Sequence, residues 1–200
     1  MNNYPNVLKE TANGISQVCI TDELLEQRKV FLNQQVDTDT MTSLIQQFMY
    51  LEQKEDGKPI YFFINSPGGS VIDGMALYDF IKLLHSPVIT VCMGNASSMG
   101  ALLFLAGERR VMLKHSKIMI HDASFGHAEF SGLKPDEIKE RTEQLVKTCE
   151  LLRRIVAERT GRSLEEVTEK MKTDSYFESD EAVEFGLATE VANSFKMNSD

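Results

Sequence analysis

Hydrophobic positions along this chain follow two rhythms. Continuous apolar runs at 29–32, 59–64 and 88–93 have the length of strands, and the second, Pro59-Ile60-Tyr61-Phe62-Phe63-Ile64, predicts a strand covered on both faces. Between the runs, apolar residues recur every three or four positions. Met41, Leu44, Ile45, Phe48 and Met49 define one amphipathic helix, with Asp39 or Thr40 placed to cap it, and Val71, Met75, Leu77, Phe80 and Ile81 define another. Pro87 ends the connector to the third run. Residues 102–105 suit a core helix, and two short strands follow Gly107, at 110–113 and 117–120. A short helix over 23–28 precedes the first run, whereas residues 1–14 lack periodicity and read as an arm or loop ordered by contacts with something else. This cadence predicts an α/β fold with right-handed crossovers and functional loops at the strand ends.

The second half changes character. Ile138, Leu145, Cys149, Leu152 and Val156 share one face of a helix over 135–160, while the remaining positions are heavily charged. Such a helix spans roughly 40 Å, long for a 200-residue body, so part of it is expected to project and pack on another protomer. Gly161 is placed to stop it, a short helix follows at 164–171, and another at 180–185 ends at Gly186.

Composition narrows the function. Two hundred residues, 42% hydrophobic and 26% charged, fit one soluble domain with a full core. Lys and Arg are outnumbered 21 to 30 by Asp and Glu, so no basic stripe is present to bind nucleic acid or an anionic membrane, and a protein or peptide partner is the expectation. Cys19, Cys92 and Cys149 are too few and too widely spaced for a disulfide scaffold or a CxxC knuckle. With no basic-then-apolar leader at Met1 and no 18-residue apolar segment, a cytoplasmic location is expected.

The chemistry gathers at two turns behind the strongest strands: Gly94-Asn95-Ala96-Ser97-Ser98-Met99-Gly100 and Asn65-Ser66-Pro67-Gly68-Gly69. A serine where a strand becomes a helix is a nucleophile geometry, provided a base, an orienting group and oxyanion donors converge on it. Ser98 is the candidate nucleophile, with the Met99 amide at a helix start beside it; the simpler role for Ser97 or Ser98 is a helix cap. Gly69, lacking a Cβ, is placed to bring a second amide close, though the same glycines also suit a plain turn. His121, at the end of Lys117-Ile118-Met119-Ile120, is the candidate base; His85, His115 and His127 read as surface residues, but spacing alone does not separate His121 from His127. Asp174 is the candidate orienting acid, with Asp122, Asp136 and Asp180 as alternatives. The isolated histidines and the lack of HExxH give no expectation of a metal, and neither GxxxxGK[ST] nor GxGxxG is present to hold a nucleotide.

Three blocks in order, residues 91–100, 64–69 and 117–121, together with Arg28-Lys29-Val30-Phe31-Leu32 and Glu181-Ala182-Val183-Glu184-Phe185-Gly186-Leu187, resemble the proteolytic subunit (ClpP) of the ATP-dependent Clp protease over about residues 25–192. The resemblance implies Ser98 as nucleophile, His121 as base, Asp174 as acid, and the Gly69 and Met99 amides as oxyanion hole. It implies a crotonase-like spiral of ββα units with 135–160 as a protruding handle helix, and a serine endopeptidase acting on unfolded polypeptides. Two stacked seven-membered rings would form a tetradecamer, alone or mixed with a paralogue. An AAA+ unfoldase of the ClpX, ClpC or ClpA type would feed it, with ATP used by that partner and no cofactor on this chain. The implied layout is an N-terminal arm, axial loop and docking region over 1–24, one peptidase domain over 25–194 with its handle about 122–160, and a flexible tail over 195–200. A ring subunit with little activity of its own and a crotonase-type acyl-CoA enzyme are the competing readings. The chain departs from the family pattern at Thr173, where arginine is usual, in the longer run 122–132, in a shorter turn between Ala106 and Ser116, and over residues 15–25.

Overall fold

A single β-strand carries most of the architecture. In the computed structural model, which describes residues 4–11, 14–126 and 131–194, β5 (Val88–Ser97) lies in the middle of a seven-stranded sheet. On one side it pairs in parallel with β4 (Ile60–Ser66), which in turn pairs with β3 (Lys29–Leu32). Its other side is shared. Residues 89–92 pair with β6 (Arg109–Met112), and residues 95–97 pair with β7 (Lys117–Ile120). β6 continues to β9 (Glu190–Val191), and β7 pairs antiparallel with β8 (Ser175–Glu178). The sheet is therefore mixed, and it divides where β5 changes partner.

Helices α2 (Thr38–Lys54), α3 (Val71–Leu83) and α4 (Met99–Ala106) supply the crossovers after β3, β4 and β5. All eight residues of α4 are buried, as its uninterrupted apolar run requires. The main core joins Val30, Leu32, Phe48, Ile60, Phe62 and Ile64 to these helices. β4 is covered on both faces, as its continuous apolar run predicts, by two different clusters. Ile60, Phe62 and Ile64 face the helices, whereas Phe63, with Phe31, Tyr61, Val91 and Val111, forms a separate cluster on the opposite face, beside a cavity of about 220 Å³. The helix after β3 is capped by Asp37, whose Oδ1 accepts from Thr40 N–H at 2.8 Å, and not by Asp39 or Thr40.

The N-terminal section also differs from expectation. β1 (Asn6–Thr11) and β2 (Gly14–Cys19) form an antiparallel hairpin, in place of an arm ordered only by outside contacts, and α1 (Ile20–Glu26) follows it. The hairpin leaves Leu8 and Ile15 about three-quarters exposed, so it carries little of the period-2 burial that makes a strand readable.

The long helix α5 (Pro135–Thr160) matches its expected bounds, with Pro135 at its start and Gly161 left-handed at its end. Only Cys149, Leu152 and Val156 are buried; Ile138, Val146 and Leu151 stand 37%, 51% and 50% exposed. Helix α6 (Leu164–Met171) packs against it, α7 (Ser179–Phe185) lies against β7, β8 and β9, and Gly186 caps α7 with its Cα against Thr160. No helix among the described residues is long and apolar enough to cross a membrane.

A buried arginine ties these pieces together. Arg110 donates from Nε to Leu187 O at 2.8 Å and from Nη2 to Gly186 O and Arg159 O at 3.1 and 3.2 Å, satisfying carbonyls at the ends of α5 and α7. Burial, with Arg159 nearby, lowers its pKa to about 10, which still leaves it charged at neutral pH. Arg110→Met is expected to strand these acceptors and to destabilise the chain by about 3 kcal/mol, read as a lower urea midpoint at unchanged m.

Candidate active site

Ser98 joins β5 to α4 with φ 54° and ψ −123°, a left-handed conformation that costs a non-glycine residue about 1–3 kcal/mol. Its N–H donates to Met119 O at 2.8 Å, and its carbonyl accepts from Ala101 N–H at 3.0 Å. The backbone therefore opens the helix, but the side chain makes no capping bond. The hydroxyl lies instead 2.8 Å from Nε2 of His121. Ser97 is engaged elsewhere, its buried hydroxyl donating to Asn95 Oδ1 at 2.7 Å.

Strand register brings the histidine there. Asn95, Ala96 and Ser97 pair with Lys117, Ile118 and Met119, so β7 runs beside the end of β5 and His121 follows one residue past its own end. On the far side of β7, Met119 pairs with Tyr176 and Ile120 with Ser175; the next step of that antiparallel ladder sets His121 opposite Asp174. His121 Nδ1 and Asp174 Oδ1 lie 3.5 Å apart. That is within ion-pair range but longer than a charge-assisted hydrogen bond of about 2.7–2.9 Å, and the Asp174 side chain is 56% exposed.

The other acids have other partners or places. Asp122 presents both carboxylate oxygens to Arg153, one accepting from Nε at 2.8 Å and the other from Nη2. Asp136 and Asp180 lie in the first turns of α5 and α7. His85 and His115 are exposed, and His127 lies outside the described residues, as does part of the 122–132 run. Burial pushes the thiols of Cys92 and Cys149 up, so neither is a ready thiolate.

The glycine turn packs directly on the serine. A Cβ at Gly68, whose φ is 90°, would lie 2.6 Å from Ser97 O, 2.7 Å from Ser98 Cβ and 2.9 Å from Met99 N. Gly69 forms a parallel bridge with Val36, in which Val36 N–H donates to Gly68 O and Ser70 N–H to Val36 O. That pairing leaves the Gly69 N–H unused. Met99 is the first residue of α4, so its N–H has no intrahelical acceptor and sits at the positive end of the helix.

A polar network missing from the sequence reading holds the two turns together. Asn65 Oδ1 accepts from Asn95 N–H at 3.1 Å, Asn95 Nδ2 donates to Ser66 O at 3.4 Å, and Ser66 Oγ donates to Gln34 O at 2.6 Å and accepts from Gly68 N–H at 3.1 Å. The signal was present, since both asparagines lie inside the two motifs, but pairing across thirty residues is visible only once β4 and β5 are aligned.

One group of metal-ligand type converges among the described residues: Glu52, Asp56 and His85. Glu52 already accepts from the amides of His85 and Ser86 at 2.7 and 3.2 Å, which ties α2 to the connector after α3. It lies before the start of β5 and Ser98 after its end; at about 3.3 Å per residue, ten residues separate the two by roughly 30 Å. This group takes no part in the chemistry around Ser98.

Taken together, a left-handed serine at a strand-to-helix turn, a histidine in contact with it and a glycine turn packed against it make a site suited to acyl transfer. A protein-family model described as Clp protease matches residues 12–195, a span that takes in β2 as well as the site and the long helix. The chain belongs to the Clp protease family.

Proposed function

We propose that the chain is a serine endopeptidase subunit in which Ser98 is the nucleophile, His121 the base and Asp174 the orienting acid. The observation that carries this reading is the 2.8 Å contact of His121 Nε2 with a serine hydroxyl that declines its capping role. With Nδ1–H directed at Asp174, Nε2 accepts the Ser98 proton as Oγ attacks the peptide carbonyl. The amides of Gly69 and Met99 receive the developing oxyanion, and the imidazolium returns its proton to the leaving amine. Water then repeats the sequence on the acyl-enzyme. The substrate lies extended along the segment after Gly69, bound through its main chain, which suits unfolded polypeptides of varied sequence.

Assembly belongs to the same proposal. The ββα units form a crotonase-like spiral, and α5 serves as a handle between two stacked seven-membered rings that receive chains from an AAA+ unfoldase. The exposed apolar residues Ile138, Val146 and Leu151 along α5 support this, as does the open, 3.5 Å contact of Asp174 with His121, which neighbouring subunits would shield and tighten. Val146→Glu with Leu151→Glu is expected to shift the particle to smaller species in sedimentation velocity, because each places a charge on an apolar interface position; an unchanged particle would remove α5 from the interface.

A fluorophosphonate probe tests the chemistry directly. Phosphonylation of Ser98 in the assembled particle, located by mass spectrometry, is the expected result. Its absence would favour a ring subunit without activity of its own, and co-purifying coenzyme A would favour the acyl-CoA reading.

A further inference from the structure

The residue directly after the proposed base is held from two sides, and neither hold is required by the fold of β7 itself. Asp122 N–H donates to Met171 O at 2.7 Å, at the end of α6 and three residues before Asp174. The Asp122 carboxylate takes Nε and Nη2 of Arg153 in a two-point contact, with both side chains 23% exposed. Arg153 lies one turn beyond Cys149, the first buried residue of α5, and Cys149 Sγ donates to Ala123 O at 3.5 Å. The chain leaving β7 is thus fastened to α5 at two successive residues.

We propose that Arg153 is a positioning residue for His121, acting through Asp122. The inference rests on the assignment of His121 as base. Successive side chains of an extended backbone point to opposite sides, so anchoring Asp122 on α5 sets the imidazole toward Ser98 and Asp174. The planar guanidinium fixes orientation as well as distance, which a point charge does not. It also neutralises the second carboxylate beside His121, leaving Asp174 as the one that meets Nδ1. Because the pair is largely buried and two-point, breaking it also costs some stability, and the catalytic effect is read on particles that remain assembled.

The experiment compares wild type, Arg153→Gln, Arg153→Lys and Asp122→Asn as full-length assembled particles on a short fluorogenic peptide, with Ser98→Ala as a reference. Misplacing a base by about 1 Å costs up to roughly 100-fold. Arg153→Gln and Asp122→Asn are therefore expected to lower kcat about 10- to 100-fold, with KM within about twofold, unchanged sedimentation and a small fall in Tm. The rate of phosphonylation by the fluorophosphonate should fall in parallel, and Arg153→Lys, which keeps the charge but not the two-point contact, should recover only part of kcat. Unchanged kcat in Arg153→Gln would overturn the proposal, as would full recovery by Arg153→Lys or a fall that follows loss of the assembled particle. If activity survives Ser98→Ala, it is the site assignment that fails, a result separate from these.

Discussion

Ser98→Ala is expected to lower peptide hydrolysis by about 10⁴-fold or more, because removing a nucleophile abolishes the acyl-enzyme route and leaves only binding and oxyanion stabilisation. Fold and assembly should persist. The Ser98 side chain makes no capping bond, and the contacts that hold the turn, N–H to Met119 O and carbonyl to Ala101 N–H, belong to its backbone. Ser97→Ala is the matched comparison. It deletes a buried hydroxyl bonded to Asn95 Oδ1, so it should cost about 1 kcal/mol of stability and change kcat by less than about tenfold. The two serines are adjacent and equally plausible as helix caps in the sequence, and this pair of measurements separates them. Hydrolysis equal to wild type in Ser98→Ala, or a large loss confined to Ser97→Ala, would overturn the assignment. Mass spectrometry of the phosphonylated wild type reads the same distinction without mutation.

What the sequence made legible depended on whether a feature is local. The bounds of α5 followed from a 3.6-residue stripe, a proline at the start and a glycine at the end, all set by nearest neighbours along the chain. Ser98 and the glycine turn were readable for the same reason, as short motifs behind apolar strands. β8 was not readable, because Ser175–Glu178 is four residues long, alternates weakly and exists through its pairing with β7. That strand is what sets Asp174 opposite His121, so the sequence favours Asp174 over Asp122, Asp136 and Asp180 as candidate acid only by family resemblance. Asp122, the nearest of these alternatives, is engaged by Arg153, and no spacing rule joins residues thirty-one positions apart. β5 extends through Gly94, Asn95 and Ala96 to Ser97 for a similar reason. Those small residues have weak strand propensity, and pairing with Lys117, Ile118 and Met119 outweighs it.

Gly68→Ala should be the most damaging change after loss of the nucleophile, although residue 68 contributes no side chain to the chemistry. An alanine Cβ there would lie within 3 Å of Ser97 O, Ser98 Cβ and Met99 N, two of them backbone atoms that cannot swing aside. Either the glycine turn retreats, carrying the Gly69 amide away from the oxyanion position, or the serine turn retreats and breaks the 2.8 Å contact with His121. Loss of one oxyanion donor costs about 10²–10³-fold in kcat, and the crowded packing should destabilise the chain by a further 1–3 kcal/mol. Gly57→Ala supplies the control. Its φ of 79° is close to the 90° of Gly68, yet no atom lies within 4 Å of a Cβ built there, so it carries the backbone strain without the collision. It should lose about 1 kcal/mol of stability and keep wild-type kcat. If Gly68→Ala retains kcat within about tenfold while Gly57→Ala behaves as stated, the glycine turn is a packing element only, and the oxyanion donors must be sought elsewhere than at Gly69.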